Sequence, residues 1–335
     1  MDYVPLLKPA AQRPVSSPVN SGQRKEWGIP VAMIAMIRDQ LTISSWLALG
    51  ACFQCLLFLA VGRIAFAPAF LLIFYRVVDT ALITKGVKPN PAVEDTIYNK
   101  FAVHYPDSDG KYRGQTANKD IVVFHIGARN THPLGMFAPG NKELGDYFNG
   151  LCQDAEKRSE EYGLLGMTAY HVVGDSSTNS EVMTVMFFEN LEGLHKFAHD
   201  PLHREAWNWW NQKLAKLKHI SIWHEVFRSP AGNWEVRQRI LQAMTTALKN
   251  NPKGIYVNSK PRGLAATTVP RTLEKNNDAL GVKAGEKGYY YPIVDARKGL
   301  LKTSAGRISA TGSQAKEHDK YNDDPYENYG RLNAI

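Results

Sequence analysis

Histidine and tryptophan are concentrated in one segment of the chain, residues 191–227, which reads LEGLHKFAHDPLHREAWNWWNQKLAKLKHISIWHEVF. Four of the seven tryptophans and five of the ten histidines lie there. Aromatic surface beside titratable imidazoles is typical of a pocket that binds an apolar, oxidisable ligand. Packing in a protein core explains any one of these residues equally well. The elements that carry these residues decide which of them share a site.

The run 120–129, DIVVFHIGAR, is a predicted strand with polar side chains on one face only. Successive residues of a strand point to opposite faces, so His125 and Arg129 share a face. The opposite face is wholly apolar and is predicted to lie under helices; its members are Val122, Phe124, Ile126 and Ala128. His125 and Arg129 are therefore predicted to face a ligand cavity.

The last predicted strand, 219–228, places Trp223 and Glu225 on the cavity face and His224 on the other, by the same alternation. Desolvation raises the pKa of a carboxyl group in an apolar cavity, which predicts that Glu225 accepts a proton from a ligand. An ion pair with Arg129 or another basic group is the alternative role. If the strand is rotated, His224 becomes the base.

Three histidines, His195, His199 and His203, recur every four residues, a spacing that would stack three imidazoles on one helix. An Asp-Pro pair interrupts them, and Asp is a favoured N-cap while Pro is a favoured first helical residue. Two helices are therefore predicted within 191–217, and no metal site. The second helix carries a stripe predicted to face inward: His203, Trp207, Trp210, Leu214 and Leu217. A backbone hydrogen bond at the helix N-terminus is the alternative role of His203.

The predicted elements between 119 and 230 follow the order β-α-β-β-α-β, with strands at 120–129, 166–173, 181–188 and 219–228 and helices at 142–162 and 191–217. This order predicts an α+β fold with a ferredoxin-like domain. Its helices cover one face of the sheet only. We therefore predict a homodimer, a dimeric α/β barrel in which a second copy covers the other face and an apolar, partly closed cavity remains.

A long apolar run precedes this domain. Residues 43–62 contain no formal charge and are long enough to cross a bilayer, and 64–75 are again apolar. Basic residues flank both ends, and a helical hairpin keeps both flanks on the cytoplasmic face. One span followed by an interfacial amphipathic segment is the alternative. We predict a membrane protein, of the endoplasmic reticulum, with its main domain on the cytosolic side.

The remaining composition divides the chain further. Predicted regions are a Pro-rich N-terminal tail and pre-membrane segment (1–42, disordered to 26), one or two transmembrane helices (43–83), a linker (84–118), the ferredoxin-like domain (119–264) and a mostly irregular tail (265–335). The net charge is +8. Because the basic residues form no stripe and no nucleic-acid motif occurs, the charge favours anionic lipid over nucleic acid as a partner.

Several segments together resemble a known family. VVFHIGARN (122–130), DPLHREAWNWWN (200–211) and ISIWHEVF (220–227), with the Gly-Asn-Trp-Glu that follows, are similar to antibiotic-biosynthesis monooxygenase-like proteins of the dimeric α/β-barrel type. The similarity is greatest to membrane-anchored fungal members of secondary metabolism, and it covers roughly residues 108–264. Shared positions are Arg129, Asn130, His203, Trp207, Asn211, His224 and Glu225.

The resemblance implies oxidative tailoring of a lipophilic polyketide or terpenoid, with dioxygen as co-substrate and no other cofactor. Glu225 or His224 would then be the catalytic base, and Arg129 would stabilise a developing oxyanion. The substrate would be held by His125, His203, Trp207, Asn211 and Trp223. Haem is not excluded, although no Cys-x-x-Cys-His or evident axial ligand occurs. A non-catalytic ligand-binding protein and a haem-dependent lyase of related fold are the alternatives.

One segment departs from the family pattern. Between matching segments at 232–235 and 254–264 lie 18 extra residues, 236–253, which read VRQRILQAMTTALKNNPK. The segment begins with Val, whose codons start with GT, and ends with Lys, one of whose codons ends with AG. A retained intron is one interpretation. A true amphipathic helix is the other, because apolar residues recur every four positions at Ile240, Met244 and Leu248.

Overall fold

The computed structural model describes residues 2–13, 25–26, 29–90, 97, 100–171, 181–238, 263–274, 276, 283–297, 299–302 and 306. Most of the segment 236–253, including Ile240, Met244 and Leu248, lies outside the described residues. The α-helices are α1 Val31–Arg38, α2 Ile43–Val61, α3 Ala67–Thr84, α4 Asn141–Lys157, α5 Leu191–Ala198 and α6 Pro201–Lys213.

The strands are short outside the central sheet. They are β1 Lys25–Glu26, β2 Ile29–Pro30, β3 Phe101–Val103, β4 Ile121–Asn130, β5 Leu164–His171, β6 Glu181–Phe188, β7 Ile220–Ser229, β8 Arg237–Gln238, β9 Val269–Thr272, β10 Lys287–Tyr290 and β11 Ile293–Asp295.

The central sheet is antiparallel, with strand order β5-β6-β4-β7. From β4 to β7 the elements follow the predicted order, with α4 as the first crossover and the α5–α6 pair as the second. The mixed α+β class is confirmed. The register pairs Asn130 with Ile220, so β7 begins at the end of the sheet where β4 finishes. That end also receives the start of β6, where Glu181 pairs with Arg129.

One face of this sheet packs under α4 and α5, as the strand alternation predicts. Val122 is fully buried and Phe124 is nearly so. They form a core with Cys152 of α4 and with Leu194 and Phe197 of α5. Burial raises the pKa of the Cys152 thiol to about 12, so this cysteine is neutral and unreactive at physiological pH.

The other face is partly covered by segments of the same chain. Phe101 and Val103 of β3 are buried against Ile121, together with Val269 and Ile293 from the C-terminal region. β3 is the central strand of a small sheet ordered β11-β3-β8, and β9 pairs with β10. The domain limits at 119 and 264 remain predictions. The folded body nevertheless takes residues from both the predicted linker and the predicted irregular tail.

Residues 2–13, expected to be disordered, are ordered against this body. The backbone N–H of Leu6 donates to the carbonyl of Ile293 (3.0 Å), and Ala10 pairs with Tyr289. Arg13 Nη2 donates to the carbonyls of Leu164 (2.7 Å) and Leu165 (3.0 Å). The expectation of disorder was wrong for these residues because partners more than a hundred residues away satisfy their backbone groups.

His104, beside β3, should make the protein sensitive to acid. Its ring is fully buried, Nε2 lies 3.0 Å from the carbonyl of Arg113, and Nδ1 has no hydrogen-bond partner among the described residues. Burial lowers the pKa of His104 below its ordinary 6.5, and the bond to Arg113 offsets this only in part. As the pH falls, the unfolded chain therefore binds a proton at a higher pH than the folded chain does. The contribution of the neutral, buried His104 to the free energy of unfolding is complete above about pH 6.5 and is lost as the pH falls.

We expect the free energy of unfolding of the detergent-solubilised chain to decrease between pH 7 and pH 5, measured by urea titration. His104→Gln should reduce that decrease, because the amide does not titrate. His195→Gln, on the exposed surface of α5, is the control. An equal acid sensitivity in all three proteins would contradict this role of His104.

The helices α2 and α3 are joined by the 3-10 turn Gly62–Phe66. The run Ile43–Thr84 is long and apolar enough, by length and composition, to cross a membrane, and little of it is buried within the protein. Gly62 has a positive φ of 66°. Beyond it, Gln54 Nε2 donates to the carbonyl of Ala65 (3.0 Å), so the turn folds back along α2.

The predicted break between α5 and α6 is confirmed, and Asp200 holds it. One carboxylate oxygen caps α6 by accepting from the N–H of Leu202 (3.0 Å). The other accepts from Arg158 Nη1 (2.5 Å) and from the hydroxyl of Tyr162 (2.9 Å). Burial works against the charge of Asp200, but these hydrogen bonds outweigh it and lower the pKa of the carboxyl group.

Asp200→Ala removes the cap and leaves the Tyr162 hydroxyl without this acceptor. We expect the free energy of unfolding at pH 7 to fall by about 2–4 kcal/mol, measured by urea titration followed by circular dichroism. Asp200→Asn keeps a capping oxygen and should cost less than Asp200→Ala. Equal losses in the two variants would show that the cap contributes nothing.

Candidate active site on the open face of the sheet

Six residues of β4 and β7 share the face of the sheet opposite the helices; the β7 members Glu225 and Phe227 are exposed, whereas Gly127 of β4 is buried. We call this set the open strip; its members are His125, Gly127, Arg129, Trp223, Glu225 and Phe227. The register places His125 opposite Glu225 and Gly127 opposite Trp223. Because alternate residues share a face, all six side-chain positions point the same way. The four predicted residues of this face, His125, Arg129, Trp223 and Glu225, are thereby brought together.

His125 and Glu225 form a pair at the middle of the open strip. Nδ1 of His125 lies 3.5 Å from Oε2 of Glu225. The side chains are 28% and 57% exposed, respectively. Phe227 contacts the imidazole edge-on, with ring centroids 5.5 Å apart. Among the described residues Glu225 is the only polar partner of the His125 ring, so Nε2 is available to a ligand.

Two expectations for Glu225 concern its surroundings. Its side chain is 57% exposed, so the single chain alone does not enclose it. The alternative role, an ion pair with Arg129 or another basic group, agrees with the structure in that the basic group is His125; Arg129 lies four residues further along β4, opposite Ser221. A histidine whose Nδ1 faces a carboxylate is the usual arrangement of an oriented general base. The geometry therefore favours His125 over Glu225 as proton acceptor.

Trp223 lies flat against the backbone of β4 at Gly127. A Cβ at position 127 would be only 2.5 Å from the indole ring, so glycine is required for this approach. The indole Nε1 donates to Oε1 of Glu181 (3.2 Å). Glu181 also pairs with Arg129 in the strand register. Glu181 was not predicted as a site residue, since only the β4–β6 register reveals its position beside the open strip.

His224 lies on the opposite face of the sheet, so β7 is not rotated. Its ring is near Phe124, with centroids 5.9 Å apart. His203 of α6 is half-buried on the same side and meets Phe197 edge-on at 5.6 Å. Burial lowers the pKa of His203, and the neighbouring imidazoles add to the effect. His203 and His224 cannot reach a ligand bound on the open strip, although their roles as site residues are otherwise untested.

The stripe predicted to face inward from His203 to Leu217 holds only in part: Leu217 is buried and His203 and Trp210 are half-buried, whereas Trp207 and Leu214 are exposed. Trp207 is 56% exposed and Asn211 is also exposed. The helix packs on α4 through Trp209, whose ring lies 5.3 Å from that of Tyr147. Three tryptophans lie on this helix, so composition alone did not define the buried face. Neither Trp207 nor Asn211 belongs to the open strip.

Asn130, a position shared with the resembled family, supports the loop after β4. It is buried, and its Nδ2 donates to the carbonyl of Gly135 (2.7 Å) and to Oδ1 of Asn141 (3.1 Å). Its own Oδ1 accepts from the N–H of His132 (2.8 Å). Across the part of the chain that the structure describes, no three His, Cys, Asp or Glu side chains are grouped to hold a metal ion.

Comparisons of sequence identify related proteins. The model of one family, monooxygenase af470-like, matches residues 121–248, which include the whole open strip. Monooxygenase af470 of Aspergillus fumigatus is 30% identical over 226 residues, covering 67% of this chain and 80% of that protein. The aligned region therefore extends well beyond the central sheet.

Comparisons of structure give weaker similarity. An aldoxime dehydratase (OxdRE) in complex with butyraldoxime is 11% identical, with a TM-score of 0.32, covering 43% of this chain and 37% of that chain. SnoaB, a cofactor-independent oxygenase from Streptomyces nogalater, is 15% identical, with a TM-score of 0.22, covering 32% of this chain and 91% of that chain. This chain thus spans less than half of the dehydratase. Similarity at this level carries no argument about function.

Proposed function

The chain belongs to the monooxygenase af470-like family, and we propose that it oxidises a lipophilic polyketide or terpenoid secondary metabolite with dioxygen as co-substrate. The observation that carries the proposal is the open strip. It combines a histidine oriented by a carboxylate, an arginine and two aromatic surfaces on one face of the sheet. No other cofactor is proposed.

The substrate itself must supply the electrons. An electron-rich, acidic CH₂ group loses a proton to Nε2 of His125, while Glu225 holds Nδ1 and stabilises the imidazolium that forms. The carbanion reduces dioxygen; one oxygen atom becomes the carbonyl oxygen of the product, and the other leaves as water with both hydrogens. The net reaction converts R–CH₂–R′ and O₂ to R–CO–R′ and H₂O. Arg129 lies on the same face and would stabilise the oxyanion.

A second copy of the chain would complete the site. In the single chain Glu225 is exposed on the open strip, and β7 is an edge strand on which Phe227 is 50% exposed and Val226 is 43% exposed. Exposed apolar side chains on an unpaired strand are a usual feature of an interface. These observations support a ferredoxin-like domain that pairs as a dimeric α/β barrel, in which the substrate is desolvated between the two copies.

The apolar run would anchor this barrel as a two-span hairpin. Residues 2–13 precede the run, and the strands on which they pack follow it, so both ends of the run lie on one side. A single crossing would separate them. The turn at Gly62 supports the same arrangement. The proposed location is the endoplasmic reticulum membrane, with the barrel on the cytosolic face, where a lipophilic substrate concentrates.

Metabolite profiling of a strain that lacks the gene would provide the substrate as an accumulated precursor. The purified full-length chain is then incubated with this precursor and ¹⁸O₂, without added cofactor. One ¹⁸O atom in the product supports the proposal. Binding without turnover would show a ligand-binding accessory protein instead, and a Soret absorption band in the purified protein would overturn the proposal that no cofactor is needed.

A further inference from the structure

We propose that one end of the barrel domain docks on the anionic surface of the membrane, so that the open strip receives its substrate from the lipid. This end consists of the loop 131–140, between β4 and α4, and the turn 214–219, between α6 and β7; we call it the anchor-side end. The inference rests on the membrane association proposed above and goes beyond it by naming the surface that touches lipid.

The strand register brings these two segments together. Asn130 pairs with Ile220, so the loop that leaves β4 and the turn that enters β7 lie side by side. His219 links them: its Nε2 lies 3.0 Å from the carbonyl of Pro139, and its ring meets that of His132 at 4.9 Å. The backbone N–H of Thr131 also donates to the carbonyl of His219 (2.8 Å).

The anchor-side end exposes large apolar side chains. Phe137 is 72% exposed, Leu134 is 58% exposed and Leu214 is 50% exposed. Three such side chains on two adjacent loops, rather than scattered singly, mark an interaction surface. Asn130 supports the backbone of this loop through its hydrogen bonds to Gly135 and His132.

Basic residues accompany these apolar side chains. Lys213, Lys216 and Lys218 are all exposed on or beside the turn. Asp146 lies in the adjacent first turns of α4, and its exposed carboxylate is paired with Lys142. Glu143 is therefore the acidic residue that remains near these lysines. Lysines around exposed aromatic and aliphatic tips are the combination that binds anionic lipid headgroups.

The anchor-side end is also continuous with the apolar helices. Gln40 lies between α1 and α2, three residues before the apolar run begins at Ile43. Its Oε1 accepts from the backbone N–H of Met136 in the loop (2.6 Å). Trp46, in the first turn of α2, donates to the carbonyl of Arg38 (2.8 Å). Tryptophan at this position is typical of the headgroup region, so the loop is held at the level where the bilayer begins.

The orientation has a consequence for the site. Arg129 and Trp223 occupy the end of the open strip nearest the loop, whereas Phe227 occupies the end farthest from it. A ligand that leaves the bilayer beside Phe137 would therefore meet Trp223 before it reaches the His125–Glu225 pair. The barrel would not release an insoluble substrate into water.

The experiment uses the full-length chain with Cys52→Ala and Cys55→Ala, since Cys152 is buried. A single reporter cysteine, at Phe137 or at the control position Ala231, is labelled with nitrobenzoxadiazole. Ala231 is exposed at the opposite end of β7. The proteins are reconstituted in vesicles of phosphatidylcholine with phosphatidylserine, and the vesicles are recovered by flotation.

We expect the label at position 137 to shift to the blue and to lose most of its emission to spin-labelled lipids, while the label at 231 does neither. Replacing all three lysines with glutamine should weaken docking roughly fivefold per lysine without preventing flotation. A chain that floats with an unquenched label at 137 would overturn the docking surface alone. A chain that does not float would overturn the membrane association as well.

Discussion

Replacing His125 with alanine is expected to lower turnover about 100- to 10 000-fold while the protein stays folded. The imidazole of His125 is partly enclosed and directly paired with the carboxylate of Glu225. Alanine retains the strand position and removes the proton acceptor. The rate of product formation with the accumulated precursor, under saturating dioxygen, measures the effect.

Two further variants separate the role of His125 from that of Glu225. Glu225→Gln keeps the shape of the side chain but removes its charge, and should lower kcat roughly 10- to 100-fold, as expected for a group that orients a base. His195→Ala removes an exposed histidine on α5, outside the open strip, and should leave kcat unchanged. If Glu225→Gln abolishes turnover and His125→Ala does not, the carboxylate is the base.

The central sheet could be predicted from sequence because its strands alternate strictly. The apolar residues of β4 that begin at Val122 pack against α4 and α5, and Val122 itself is fully buried. His125 alternates with them along β4 and therefore lies on the other face, together with its partner Glu225. A period of two fixes the face of each residue once a strand is recognised. The pairing of β4 with β7, seen in the structure, places four of the predicted site residues together.

The cover over the rest of that face could not be predicted in the same way. β3 has three residues and β11 has three, too few for a period to be recognised. Their partners are far away in the chain: Val103 pairs with Ile293, and Leu6 bonds to Ile293 as well. Contacts between residues this far apart in the chain leave no local pattern in the sequence.

The exposure of Trp207 on α6 was mispredicted for a different reason. Trp207, Trp209 and Trp210 project in three directions around α6. The helical period therefore allows two different apolar faces, one that contains Trp207 and one that contains Trp209. Contact with Tyr147 on α4 selects the stripe that contains Trp209. The choice depends on the position of another helix, which no period within α6 encodes.

Gly127→Ala should have the second-largest effect on the site, because it displaces Trp223. A Cβ at this position would lie 2.5 Å from the indole, far inside van der Waals contact, so the ring must move. Overpacking of this kind costs about 1–3 kcal/mol of folding free energy. The displaced ring also loses its bond to Glu181 and no longer lines the open strip, so the affinity for the accumulated precursor should fall roughly 3- to 10-fold.

A double-mutant cycle tests whether the indole is responsible. Trp223→Leu alone should weaken precursor binding, and adding Gly127→Ala to it should cost little more, because the smaller side chain leaves room for the methyl group. Gly150→Ala in α4 is the matched control, since an added Cβ there meets nothing within 4 Å. Calorimetric titration gives the affinities, and urea titration the stabilities. Additive losses in the double variant would show that the Gly127→Ala effect comes from β4 itself. Trp223 could then occupy its place over the strand whether or not position 127 carries a side chain.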